Sequence, residues 1–284
     1  MSYSVIVKKD GVNHSRHSCS PLLLFFYLWQ YRELVWQLTY RDVVGRYRGS
    51  FVGLFWSFIN PLVLLVVYTV VFGVILQTKW PGINDSLDFA LVLFAGLIVY
   101  NFFAECLNRA PSLILSHPSY VKKVIFPLEI FPWIAVGSAL FHTIISIIAW
   151  LIFYFAVHSS IHWTAFFLPL VLLPLVLVTL GFCWFLSSAG VFVRDVSQTV
   201  NIVTLILLFM SPVFYSVQGV PANLRAFLLA NPLTFIIEQT RAILIWQQWP
   251  DFFGLGVYVL ISLLIAWIGL VWFQKTRDGF ADVI

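Results

Sequence analysis

The stretch LEIFPWIAVGSALFHTIISIIAWLIFYFAV, residues 128–157, runs for thirty residues with a single charge, at Glu129. About 20 consecutive apolar residues are enough for a helix to cross a bilayer. Five further stretches qualify on either side of it, at about 51–76, 89–107, 165–193, 199–218 and 252–273. The composition of all 284 residues agrees, with 61% apolar and only 10% charged, against about 25% charged in ordinary globular chains. So few charges cannot coat a soluble domain of this size. Disorder is excluded too, since it needs low hydrophobicity and high net charge. The expected fold is an all-α integral membrane protein with six transmembrane helices.

The third and fourth stretches exceed the hydrocarbon thickness and are expected to tilt or project beyond it. Pro61, Pro132, Pro169, Pro174 and Pro212 fall inside spans. They are tolerable where neighbouring helices satisfy the freed carbonyls, and they predict local kinks. With six crossings, one side receives Arg32, Arg41, Arg46, Arg48, Arg109, Lys122, Lys123, Arg194, Lys275 and Arg277, and the other receives Lys79, Arg225 and Arg241. The positive-inside rule then puts both termini in the cytoplasm.

Two segments are neither spans nor ordinary loops. Residues 21–40, PLLLFFYLWQYRELVWQLTY, follow a polar tail at 1–20 and precede the membrane domain at 41–284. Gln30, Glu33, Gln37 and Arg41 form a narrow polar stripe at helical spacing. Either an amphipathic helix in the cytoplasmic interface, with Trp29, Tyr31 and Trp36 at headgroup level, or a helix packed on the bundle fits this pattern. Residues 219–251 hold two apolar fragments, 224–230 and 233–246, split by Asn231-Pro232. Each is too short to cross, which predicts re-entrant or interfacial helices before the last span. Glu238 and Arg241, three apart, can pair on one face.

Enzyme constellations are missing. The dipeptide Gly-Lys does not occur, so the chain has no P-loop of its own. No H-E-x-x-H or zinc-spaced cluster is present, and the three cysteines stand singly, predicting buried thiols at Cys106 and Cys183 and no disulfide. Ser138 and His142, four apart, lack an orienting acid nearby in sequence and read as helix-packing groups with Thr143 and Ser146. Residues 1–20 are polar and the apolar run after them is short, so no secretory signal is expected. A net charge of +4 is too modest to imply nucleic acid as a partner.

The cytoplasmic side carries the more specific signals. Glu105 and Arg109 have the spacing of an i, i+4 ion pair, and Glu129 opens the third span. NRAPSLILSHPSYVKKVIFP, residues 108–127, is bracketed by prolines around an apolar patch at 113–115. It suits either docking on a soluble partner or an interfacial helix anchored by lysines. Arg41, Arg46 and Arg48 fall within eight residues just before the first span. Their forked donors could hold a lipid phosphate, although the positive-inside rule alone would also place them there. Aromatics make up 18% of the chain, more than two interfacial belts require, and their faces can stack weakly on sugar rings.

Residues 41–72, RDVVGRYRGSFVGLFWSFINPLVLLVVYTVVF, closely resemble the opening of ABC-2 type polysaccharide-export permeases, the family of O-antigen and teichoic-acid exporters. PSYVKKVIFPLEI (118–130), RDVSQTVNIVTLILLFMSPVFYS (194–216) and NPLTFIIEQTRAIL (231–244) extend the resemblance over about residues 25–275. It implies a six-span half-transporter of the bacterial inner membrane that dimerises with a second copy and docks on two copies of a separate ATPase. ATP and Mg would bind there, with no cofactor in this chain. The implied cargo is a polyprenyl-pyrophosphate-linked polysaccharide, O-antigen first. Teichoic acid or capsule is the alternative, and a small-molecule or lipid exporter a more distant one. The resemblance further implies a gate helix carrying Trp29, Tyr31, Glu33 and Trp36. It implies an ATPase-coupling loop with His117, Tyr120, Lys122 and Lys123, and a lipid-phosphate entrance at Arg41, Arg46 and Arg48. Channel aromatics are expected at Tyr68, Phe72, Phe209, Phe214 and Tyr215.

Overall fold

The computed structural model describes residues 28–49, 52–75, 80–83, 85–122 and 126–284. The tail at 1–20, the start of the expected gate helix and Lys123 lie outside them. The described residues form helices and connecting turns with no strand. In chain order the α-helices are α1 (Arg32–Tyr47), α2 (Trp56–Tyr68), α3 (Ser86–Arg109), α4 (Pro118–Val121), α5 (Phe131–His158), α6 (Leu168–Phe192), α7 (Val196–Met210), α8 (Ala222–Ala230), α9 (Thr234–Leu244), α10 (Phe252–Thr276) and α11 (Phe280–Val283).

Four of these, α3, α5, α6 and α10, with their short helical extensions, are long and apolar enough to cross a membrane. They account for four of the six expected stretches. The other two are represented by shorter apolar helices. α2 continues into a π-helical segment, Thr69–Ile75, where the Thr69 hydroxyl donates to the Leu65 carbonyl at 2.7 Å. α7 ends at Met210 rather than near 218. Ser211 N–H still reaches Leu207 O at 2.9 Å, but Pro212 has no N–H to continue the ladder, and the chain turns. The two fragments of 219–251 are the short helices α8 and α9, broken at Asn231-Pro232.

α3 is the centre of the bundle. Every residue from 89 to 100 is buried, as a helix apolar on all sides requires. Without water to drive helices together, polar groups and close backbone contact do that work. Trp150 Nε1–H donates to Leu91 O at 3.0 Å and Tyr100 O–H to Thr204 O at 3.0 Å. Trp184 Nε1–H donates to Glu129 O at 3.1 Å. α10 lies directly on α6: a Cβ at Gly269 would stand 2.2 Å from Gly181 O, and one at Gly181 2.7 Å from the Ile265 backbone. Arg277, just after α10, pairs with the buried Glu129 at 2.6 Å, which ties the C-terminal end to the opening of α5.

α5 runs opposite to α3, α6 and α10, since His158 at its end meets Asp88 at the start of α3, while Glu129 at its opening meets Trp184 of α6 and Arg277 after α10. Arg46, Arg109 and Arg277 therefore gather at one end of the bundle with Asp42, Glu105 and Glu129. His158 and Asp88, 3.1 Å apart, join α5 to α3 at the other end.

Candidate functional site at the basic end

α1 places the arginine cluster. It runs without a break from Arg32 through Tyr47, so the aromatic segment and most of the cluster share one rigid rod. One face buries Val35 and Val43 and packs on α5, where an ideal Cβ on Gly137 would meet Thr39 Cγ2 at 3.0 Å. The other face exposes Trp36 (72%) and Tyr40 (64%), and Trp29 in the helical turn just before α1 is exposed too (74%). The segment is thus a helix packed on the bundle, with an outward aromatic face. The Arg32 guanidinium lies over the Trp29 ring at 4.9 Å. Tyr31 is half-buried and Glu33 exposed.

Between α1, the end of α3 and the start of α5 is a cavity of about 320 Å³. Its polar walls are Arg41, Asp42, Arg46, Arg109 and His117, and its apolar walls include Leu38, Leu113, Phe131 and Ile134. Arg109 Nη2 donates to both Asp42 oxygens, at 2.8 and 2.9 Å, and Ser138 Oγ donates to Asp42 Oδ2 at 2.6 Å. Arg46 Nη1 donates to Glu105 Oε1 at 2.7 Å. His142 Nδ1 lies 3.0 Å from the same oxygen, and its Nε2 lies 3.1 Å from the Tyr47 hydroxyl. Burial pushes the Tyr47 phenol above its ordinary value, with the Arg46 charge opposing.

The expected Glu105–Arg109 pair within α3 does not form. Each residue is taken by a partner on α1 instead, because an exposed i, i+4 pair contributes only about 0.2–0.5 kcal/mol, which a cross-helix charge-assisted bond exceeds. Ser138 and His142 are likewise more than packing groups, since they orient the two carboxylates. Asp42 and Tyr47 carry no sequence signal of this role beyond lying in the arginine cluster.

Two donors are left over. Arg41 lines the cavity, is exposed, and makes no hydrogen bond or ion pair among the described residues. Arg109 Nη1 is buried with no acceptor. Arg48 is exposed and stands outside the cavity. His117 does line it, with Nδ1 2.9 Å from Leu113 O and its ring 4.7 Å from Phe131. Tyr120 packs on Phe126 at 4.4 Å, and Lys122 is exposed. The arginine cluster and the proline-bracketed loop thus share one cavity, although Arg46 and His117 lie 71 residues apart in sequence.

The five expected channel aromatics form a contiguous group elsewhere. Phe72 stacks on Phe214 with centroids 5.4 Å apart, Tyr68 lies 6.1 Å from Phe72, and Phe209 5.9 Å from Phe214. Tyr215 O–H donates to Phe209 O at 3.0 Å.

The model of a family described as ABC-2 type transporter matches residues 33–245, from the start of α1 to the end of α9. The chain is 28% identical over 259 residues to the O-antigen export system permease protein RfbA of Myxococcus xanthus, covering 90% of this chain and 97% of that protein. It is 26% identical over 263 residues to a protein of the same name from Klebsiella pneumoniae, covering 89% and 95%. The polysialic acid transport protein KpsM of Escherichia coli is 22% identical over 247 residues, covering 85% and 93%.

Proposed function

We propose, from the premise that this chain belongs to the ABC-2 type transporter family, that it is the membrane subunit of an ATP-driven polysaccharide exporter. The cargo is a polymer carried on polyprenyl pyrophosphate, with O-antigen favoured because relatives of that name are the more similar ones. The observation that carries the reading is the basic cavity, lined by Arg41 and Arg109, where Arg41 and the Arg109 Nη1 have no acceptor among the described residues. A pyrophosphate at the inner membrane surface supplies the oxygens that forked guanidinium donors recognise.

In this reading α2 with its π-helical extension and α7 with the turn after it complete six crossings, both termini are cytoplasmic, and α8 and α9 form the outer mouth. A second copy covers the apolar outward residues of α2 and α7, such as Val66 and Leu205. The motor is a separate ATPase pair in the inner membrane complex, docking at the loop of His117, Tyr120, Lys122 and Lys123. Arg41 captures the lipid phosphate, while Asp42 and Glu105 keep Arg109 and Arg46 aimed at it. α1 then shifts as the ATPases close, and the sugar chain advances along the aromatics.

Deleting the chain in its host tests the assignment. The surface polysaccharide should disappear while its lipid-linked form accumulates on the cytoplasmic face, and a plasmid copy should restore it. Unchanged surface polysaccharide in the deletion strain would refute the assignment.

A further inference from the structure

Arg241 has no part in capture, yet it is the most heavily engaged polar residue described. Its side chain is fully buried at 0% exposure. A charge at that depth persists only when its donors find acceptors, and here four hydrogen bonds engage four of the five donors of the guanidinium. Nε donates to Val92 O at 3.0 Å, Nη1 to Pro212 O at 2.6 Å and to Glu238 Oε1 at 3.0 Å, and Nη2 to Val213 O at 2.8 Å. The guanidinium also lies 4.5 Å from the centre of the Trp80 ring. α3, α9, the turn after α7 and the turn before α3 are all joined through this one group.

The contacts explain how α7 can stop within an apolar run. Breaking a helix there frees carbonyls that have no water to bond, so a protein donor must replace it. Arginine's rigid fork serves several carbonyls at once, which a lysine point charge does not. The turn it secures leads into Phe214, which stacks on Phe72. On the other side, Trp80 packs against Phe89 with centroids 6.2 Å apart, and Phe89 lies 6.4 Å from Phe72. Both arms of Arg241 converge on the same stacked pair.

We infer that Arg241 is a positioning residue for polymer passage, holding the Phe72 and Phe214 rings in the geometry that meets the sugar chain. The inference rests on the polysaccharide-export reading above. Weak stacking on successive sugars depends on ring placement, so displacement of Arg241 slows transport without touching the capture site or the ATPase surface.

Two substitutions move Arg241 without deleting it. Gly96→Ala places a methyl 2.8 Å from Nη2 and 3.4 Å from Cζ, and alanine is the better helix former. Trp80→Leu removes the ring under the guanidinium, 4.5 Å away, and so frees it to shift on its acceptors without deleting any of them. Each is made in the full chain with its ATPase partner, and two quantities are read. The first is surface polysaccharide in the complemented deletion strain. The second is disulfide yield between Phe72→Cys and Phe214→Cys under mild oxidation, with Cys19 replaced by serine, since Cys106 and Cys183 are buried.

Both variants should reach the membrane and associate with the ATPase at normal levels. Export should fall by about ten-fold, less than the roughly 100-fold that a 1 Å misplacement can cost at a reacting centre, and the cross-link yield should fall with it. Wild-type cross-linking in both variants would overturn the inference, whatever export does. Reduced cross-linking with wild-type export would also overturn it, because the placement would then not serve transport. Failure of the export assignment itself shows separately, as normal surface polysaccharide in the deletion strain before any variant is made.

Discussion

Gly269→Leu should leave almost no folded protein in the membrane. The contact at issue is backbone on backbone: a Cβ at 269 would meet Gly181 O at 2.2 Å and Gly181 C at 2.8 Å, and neither atom can rotate away. Ser262, Ala266 and Gly269 form a buried small-residue stripe on α10, the pattern that lets helices approach closely in lipid. Overpacking by even a methylene costs about 1–3 kcal/mol in a core whose side chains can adjust, and a leucine here forces whole helices apart. Gly269→Ala should show a smaller drop in melting temperature. Gly256→Ala on the same helix meets nothing within 4 Å and should show none. Detergent extraction with size-exclusion profiles and melting curves reads all three. A monodisperse Gly269→Leu protein with wild-type melting would mean α10 does not lie on α6 as described.

The second large effect is functional. Arg41→Glu should reduce surface polysaccharide by about 10- to 100-fold, because a hydrogen bond to a charged group contributes about 1.5–3 kcal/mol and the inverted charge repels a pyrophosphate besides. The amount of protein in the membrane should not change, since Arg41 is exposed and pairs with nothing described. Arg46 and Arg109 are poorer probes: removing either strands Glu105 or Asp42 and mixes a folding defect with a capture defect. Quantifying polysaccharide beside membrane protein in the same strains separates the two. Wild-type export from Arg41→Glu would remove Arg41 from the capture step.

What the amino-acid sequence disclosed followed the range of the forces involved. α3, α5, α6 and α10 were legible because an unbroken apolar run is a local property that hydropathy measures directly. The end of α7 was not, because 199–218 stays apolar through Pro212 and hydropathy does not register where the N–H ladder stops. The pairing of Glu238 with Arg241 was legible at three residues' separation. The burial of Arg241 was not, because its main acceptors, Val92, Pro212 and Val213, lie 149, 29 and 28 residues away. At the basic end the local rule misled: Glu105 and Arg109 have ideal spacing for each other, yet α1 supplies a better partner for each. Ser138 and His142 stood out as polar residues in an apolar helix, but the carboxylates that give them purpose lie on other helices.

The proposed division of labour between this chain and an ATPase makes one reconstitution decisive. The chain is placed in proteoliposomes with and without the proposed ABC ATPase partner, and ATP-driven movement of lipid-linked polysaccharide is read as protection from added glycosidase. Protection should develop only with both proteins and ATP present, and it should vanish when the partner's P-loop lysine is replaced. ATP hydrolysis or ATP-driven protection from this chain alone would contradict the division of labour on which the proposed function stands.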